Sequence, residues 1–130
     1  SGNQGIATAM IGAAKGYNVI ICVSEKISQE KLDTLRAYGA QVEICPVTEF
    51  LEHPDSYHRR ALALHAQTPN SFMPNQYFNQ ANALAHYSSL GPEIWQQTQG
   101  KITHFFAAAG TGGTVTGTGR FLKEQNKDIK

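Results

Sequence analysis

The stretch Ala107-Ala108-Ala109-Gly110-Thr111-Gly112-Gly113-Thr114-Val115-Thr116-Gly117 constrains the fold more than any other part of the chain. An apolar run from Ile102 empties into Gly110, Gly112 and Gly113, and a helical pattern through Val115, Thr118, Gly119 and Leu122 follows at once. A strand, turn and helix of this kind bring bare backbone close to a ligand. The helix that opens there directs its unpaired N–H groups and the positive end of its dipole at the same point. The sequence therefore predicts an anion cradle of the kind that receives a phosphate.

The rest of the chain alternates as an α/β domain must. Ser1-Gly2-Asn3-Gln4-Gly5 leads into a helix with Ile6, Ala9, Met10 and Ala13 on one face, Asn3 as its N-cap and Gly16 as its stop. Asn18 to Val23 is the continuous β-branched run expected of a strand covered on both faces. Ser28 caps a second helix, with Ile27 and Leu32 as its staple, Gly39 ends it, and Gln41 to Cys45 forms the next strand. This reads as a βαβ unit. Ser56 caps a helix with Tyr57, Ala61, Leu64 and His65 on one face, where His65 reads as a core histidine, and Ser71 to Met73 reads as a short strand. Five amide side chains between Asn75 and Asn82 precede a helix reaching Tyr87; amides at that density either turn the chain or line a polar site. Pro92 opens a further helix, Ile102 to Ala109 is a third strand, and Gly119 is expected to let the last helix lie close to the sheet. The fold class is α/β, a three-layer arrangement whose mostly parallel sheet of three or four strands is flanked by helices.

Composition excludes several functions. With a net charge of +1 and acids and bases interspersed, there is no basic stripe for nucleic acid and no polybasic membrane patch. Cys22 and Cys45 sit in apolar strand-like runs and read as reduced core residues, which places the protein in the cytoplasm. The histidines at 53, 58, 65, 86 and 104 lack zinc-ligand spacing, so no metal is expected. A charged fraction of 16% is low for a fully exposed surface, so part of the surface is expected to be covered. The glycine turn fits neither of two common nucleotide loops. A Walker loop needs a lysine that Gly110 to Gly119 does not contain, and the third glycine of a dinucleotide fingerprint would fall on Val115. Backbone donors without a bound cation suit a monophosphate such as that of pyridoxal 5′-phosphate.

Ser1-Gly2-Asn3-Gln4-Gly5 together with Gly110-Thr111-Gly112-Gly113-Thr114 resembles the cysteine synthase and cystathionine β-synthase family of pyridoxal-phosphate enzymes, fold type II. The similarity runs along essentially the whole chain. Ser24 to Lys31, Leu35 to Ala40, and Asn75-Gln76-Tyr77 with Asn79, Asn82 and Ala85-His86-Tyr87 look most like cystathionine β-synthases. Gly91-Pro92-Glu93-Ile94-Trp95 looks more like bacterial cysteine synthases. The resemblance implies that Gly110, Thr111, Gly112, Gly113 and Thr114 hold the cofactor phosphate and that Asn3 meets the cofactor's ring hydroxyl oxygen. It implies that Ser1, Gly2, Asn3 and Gln4 close on the α-carboxylate of a small amino-acid substrate, with Gln76 opposite, and that Tyr77 is an active-site tyrosine. The implied reaction is β-replacement on serine or O-acetylserine by a thiol or sulfide, giving cystathionine or cysteine.

The resemblance also implies that the lysine linking the cofactor lies upstream of Ser1, so that the chain is a central fragment of a homodimeric parent, inactive by itself and without a catalytic residue of its own. Residues 1–87 would then belong to a smaller mobile domain, and 88–130 would begin a larger cofactor-binding one. Gln4 stands where the synthases usually have threonine. That departure keeps two alternatives in view, a serine or threonine dehydratase and a non-catalytic module that binds a phosphate ligand.

Overall fold

A computed structural model of the chain describes residues 2–130. The chain divides into two compact units, Ser1–Met73 and Pro74–Lys130. The first contains α1 (Gly2–Lys15), β1 (Ile20–Ser24), α2 (Gln29–Ala37), β2 (Gln41–Cys45) and α3 (Tyr57–Gln67). The second contains α4 (Ala81–Ser88), α5 (Leu90–Gln97) and α6 (Gly113–Gln125).

In the first unit β1 and β2 pair in parallel, with Ile20 opposite Gln41 and Ser24 opposite Cys45, and α2 is the crossover between them. Ile21, Cys22 and Val23 are consecutive and all buried, as a strand covered on both faces requires. α1 packs on β1, α2 on β2, and α3 along both. Ala9, Ile21, Val23, Leu35 and Ala40 form the core. Burying a residue such as Leu35 or Val23 contributes roughly 1.5–3 kcal/mol.

The inward stripe of α1 is Gly5, Ala9 and Gly12, while Met10 and Ala13, expected on that face, are exposed. Close approach explains the difference: a Cβ at Gly12 would lie 2.2 Å from Val19 Cγ2, and one at Gly5 would lie 2.9 Å from Ile21 Cγ2. Glycine decides where this helix touches the sheet. Asn3 lies within α1 rather than capping it. Gly16 does stop the helix, at φ 72°, with its N–H bonded to Ala13 O and that of Tyr17 to Gly12 O. Ser28 and Ser56 cap α2 and α3 as expected, accepting from Lys31 N and Arg59 N. His65, however, is exposed and lies 2.6 Å from Ser71 Oγ, so it is no core histidine.

The second unit is a helical cluster in which α4, α5 and α6 all touch one another. Buried Gly113 and Gly117 face α4, where a Cβ on Gly117 would lie 2.0 Å from Ala83 O. Gly119, expected to provide the close approach, has open space around it, and Val115 is exposed. At the far end of the seam Tyr87 donates to Glu124 at 2.6 Å, packs edge-on to Phe121, and carries the Arg120 guanidinium over its ring. α5 begins at Leu90, so Pro92 stands in its first turn rather than opening it.

Two expected strands do not form ladders. Ser71 to Met73 is irregular, and 101–109 joins no sheet; among the described residues the sheet has two strands rather than three or four. A strand needs a neighbour along its hydrogen-bonding edge. The segment 101–109 meets only a start of one, in which Lys130 N donates to Thr103 O at 2.9 Å and Phe105 N donates to Lys130 O at 2.8 Å. That is the alternation of a parallel ladder.

Candidate functional site

Gly112 is the N-cap of α6 at φ 82°, a left-handed conformation that costs an L side chain roughly 1–2 kcal/mol. It brings no side-chain cap, so the first-turn N–H groups of α6, which have no intrahelical acceptor, keep their donor capacity. The first turn also contains no acidic residue. Gly110 is exposed with open space beyond its α-carbon. The result is a set of backbone donors at a positive helix end, with no carboxylate among them and no side chain obstructing the approach.

The threonines of the turn are held from behind by α4. Asn82 Nδ2 lies 2.8 Å from Thr111 Oγ1 and also donates to the backbone carbonyl of Gln76 at 3.2 Å. One helical turn on, His86 Nε2 lies 3.2 Å from Thr114 Oγ1. A Cβ on Gly113 would lie 2.0 Å from Asn82 Oδ1, so the loop sits against this amide because residue 113 has no side chain. The amide cluster therefore does two jobs. Asn79 turns the chain, donating to Pro74 O and accepting from Ala81 N, while Asn82 reaches the glycine turn. Asn82 and His86 were visible in the sequence as residues four apart on one helix, but nothing there indicated that their face meets the loop.

Gln76 and Tyr77 belong to the same unit, in the turn before α4, where the Gln76 backbone carbonyl accepts from Asn82 Nδ2. Asn3 and Gln4 belong to the first unit. Asn3 is exposed on the first turn of α1, and Gln4 donates along the helix to Thr8 Oγ1 at 3.4 Å. Ser1 lies outside the described residues. The Lys31 side chain lies beside Gly2: a Cβ there would meet Lys31 Cδ at 2.6 Å and Nζ at 3.4 Å. A cation beside a helix N-terminus with no acidic residue in its first turn favours an anion at that end too.

Other chemistry-bearing groups belong to the first unit. A cavity of about 400 Å³ along β2 and α3 is lined by Cys45, Arg59 and Arg60 among others, but Arg60 is already bound to Glu43 at 3.1 Å. Among the described residues no group of three or more His, Cys, Asp or Glu is placed to hold a metal ion, and no helix is long and apolar enough to cross a membrane. Cys22 and Cys45 are buried free thiols. Burial first, then Cys45 and Glu43, pushes the Cys22 thiol up to about 11, and burial also raises Cys45. A raised thiol holds its proton through neutral pH, so little nucleophilic thiolate forms. At pH 8 native Cys22 is expected to react with iodoacetamide roughly 100-fold more slowly than an ordinary thiol, and to recover in denaturant; mass-spectrometric labelling kinetics check this. By the same shift, the folded state keeps a proton that the unfolded state loses. The Cys22 contribution to stability is therefore full below about pH 9 and is lost as the pH rises through about 11.

Fold and site define an α/β protein with uncapped backbone donors at the N-terminus of α6. The whole chain, residues 1–130, matches the family described as "Pyridoxal-phosphate dependent enzyme". It is 45% identical over 130 residues to a cystathionine beta-synthase of Apis mellifera, covering 100% of this chain and 26% of that protein. It is 44% identical over 130 residues to cysteine synthase B of Escherichia coli (strain K12), covering 99% of this chain and 41% of that protein. The crystal structure of a hydrogen sulfide-producing enzyme from Fusobacterium nucleatum superposes with a TM-score of 0.88 at 34% identity, over 100% of this chain and 41% of that one. The chain belongs to the pyridoxal-phosphate dependent enzyme family, whose cofactor is pyridoxal phosphate. It spans between about a quarter and two fifths of the length of these relatives.

Proposed function

We propose that the protein is a β-replacement enzyme that joins a thiol or sulfide to the β-carbon of serine or O-acetylserine, giving cystathionine or cysteine. The observation that carries this reading is the carboxylate-free cradle from Gly110 to Thr114, with Thr111 and Thr114 braced by α4. The residues fit a phosphate in number and kind of donor. The names of the relatives, cystathionine beta-synthase and cysteine synthase, favour the substrate class.

Bound in such a site, pyridoxal phosphate supplies an electron sink that makes the substrate α-proton acidic. The backbone N–H groups of Gly110 to Thr114 and the Thr111 and Thr114 hydroxyls hold the phosphate. Asn3 would hydrogen-bond the ring hydroxyl oxygen and orient the cofactor. Ser1, Gly2, Asn3 and Gln4 receive the α-carboxylate at the N-terminus of α1, where the Lys31 ammonium adds positive potential. Gln76 contributes a further contact to the carboxylate, and Tyr77 lines the site. Closure of the Ser1 to Gln4 segment over the substrate would exclude water from the reacting carbon. In the net reaction with serine the Cβ–O bond breaks, the Cβ–S bond forms, and the hydroxyl leaves with the thiol proton as water.

The enzyme acts as a cytoplasmic homodimer in this reading, which the buried reduced cysteines support only as to compartment. In this reading residues 1–87 belong to a smaller mobile domain and 88–130 begin the cofactor-binding one. Gln4, whose amide is turned toward Thr8, favours a second reading in which elimination is not followed by replacement.

The test is product analysis of the purified full-length parent protein, which contains the upstream lysine expected to link the cofactor, with serine or O-acetylserine, with and without homocysteine or sulfide. Cystathionine or cysteine is expected. Pyruvate and ammonia at the same rate whether or not a thiol is present would select the second reading, and no turnover of either substrate would reject both.

A further inference from the structure

We propose that Asn82 is a positioning residue for the cofactor phosphate, acting through the direction of the Thr111 hydroxyl proton. The inference rests on the reading of Gly110 to Thr114 as a phosphate cradle. A threonine hydroxyl has one proton to donate and lone pairs with which to accept. To bind a phosphate oxygen it must donate, so any partner behind it has to be a donor in turn. The Gln76 backbone carbonyl has no proton, so the Asn82 side-chain atom 3.2 Å from it must be the nitrogen, Nδ2. The same nitrogen lies 2.8 Å from Thr111 Oγ1. Its two protons are thereby assigned, one to each oxygen. Thr111 accepts from Asn82, and its own proton is left for the open side of the turn.

The geometry fixes this polarity without recourse to an assumed amide orientation. The contact between His86 Nε2 and Thr114 Oγ1 is satisfied with either partner donating, so the assignment rests on Asn82. Gly113 keeps the amide in place, since a side chain there would collide with Asn82 Oδ1. Asn82 itself need not touch the cofactor. It removes the alternative in which the hydroxyl proton turns inward and presents lone pairs to an anion.

The test uses the purified protein freed of cofactor and titrated with pyridoxal phosphate and, separately, with pyridoxal, which lacks the phosphate. Asn82→Leu removes the donor at similar volume and without adding charge. It is expected to weaken pyridoxal phosphate binding roughly tenfold while leaving pyridoxal binding within about twofold, and to shift the ³¹P resonance of the bound phosphate. In a Thr111→Val background the same substitution is expected to add nothing, because the hydroxyl it orients is gone. Where Asn82→Leu fails to fold, Asn82→Ala provides the same comparison. Equal losses for both ligands, or losses that add in the double variant, would overturn the role of Asn82 and leave the cradle intact. An unaltered protein that binds pyridoxal as tightly as pyridoxal phosphate would overturn the cradle itself.

Discussion

Gly117→Ala is expected to destabilise the protein by about 2 kcal/mol, although alanine is the better helix former by about 1 kcal/mol. The added methyl would lie 2.0 Å from Ala83 O and 2.9 Å from Tyr87 N, and both obstacles are backbone. No rotamer change relieves such a contact. α4 and α6 must move apart, and the Tyr87 contacts with Glu124 and Phe121 move with them. Gly119→Ala is the paired control, on the same helix with nothing within 4 Å of the new carbon. It should stabilise by about 0.5–1 kcal/mol through helix propensity alone. Urea midpoints at unchanged slope measure both. Equal effects of the two substitutions would show that α4 does not clamp α6.

The second large effect is expected at the cradle. Changing Thr111 and Thr114 together to valine should weaken pyridoxal phosphate binding by roughly 100-fold or more, since each hydroxyl makes a charge-assisted bond to a phosphate in the proposed role. Valine keeps the shape of threonine and leaves the backbone donors in place, so the residual affinity measures the N–H groups of the turn and the helix dipole. Binding of pyridoxal should change little. A titration followed by cofactor absorbance separates the two ligands, and a loss below threefold would place the phosphate elsewhere.

Elements with a local cause were legible in the sequence. Ser28 and Ser56 cap helices because their hydroxyls reach the N–H groups of Lys31 and Arg59, three residues on. The β-branched run into Val23 announced a strand buried on both faces, and the glycine turn announced the start of α6. The periodicity of large apolar residues placed Ala9, Thr118 and Leu122 on the buried faces of α1 and α6 but misplaced the closest contacts, since Met10 and Val115 are exposed. In both helices the nearest neighbour meets glycine, at Gly12 and at Gly117, and a residue without a side chain contributes nothing to an apolar pattern. The third strand failed for a different reason. The sequence of 102–109 has strand character, but pairing belongs to two segments, and Lys130 alone supplies part of the second. For the candidate site, the turn and its threonines could be read directly. The support from Asn82, His86 and Lys31 depends on which helix faces touch, and chain order alone does not give that.

The close fit of α4 against Gly113 and Gly117 bears on how this motif could be moved between proteins. In the proposed role five residues from Gly110 to Thr114 carry the ligand chemistry, yet their threonines are held by a helix whose residues come some thirty positions earlier. Grafted alone onto a foreign strand and helix, the pentapeptide would keep its backbone donors and lose control of its hydroxyls. The smallest portable version runs from the turn at Asn75 through Gly117, as one cassette in which loop and buttress travel together.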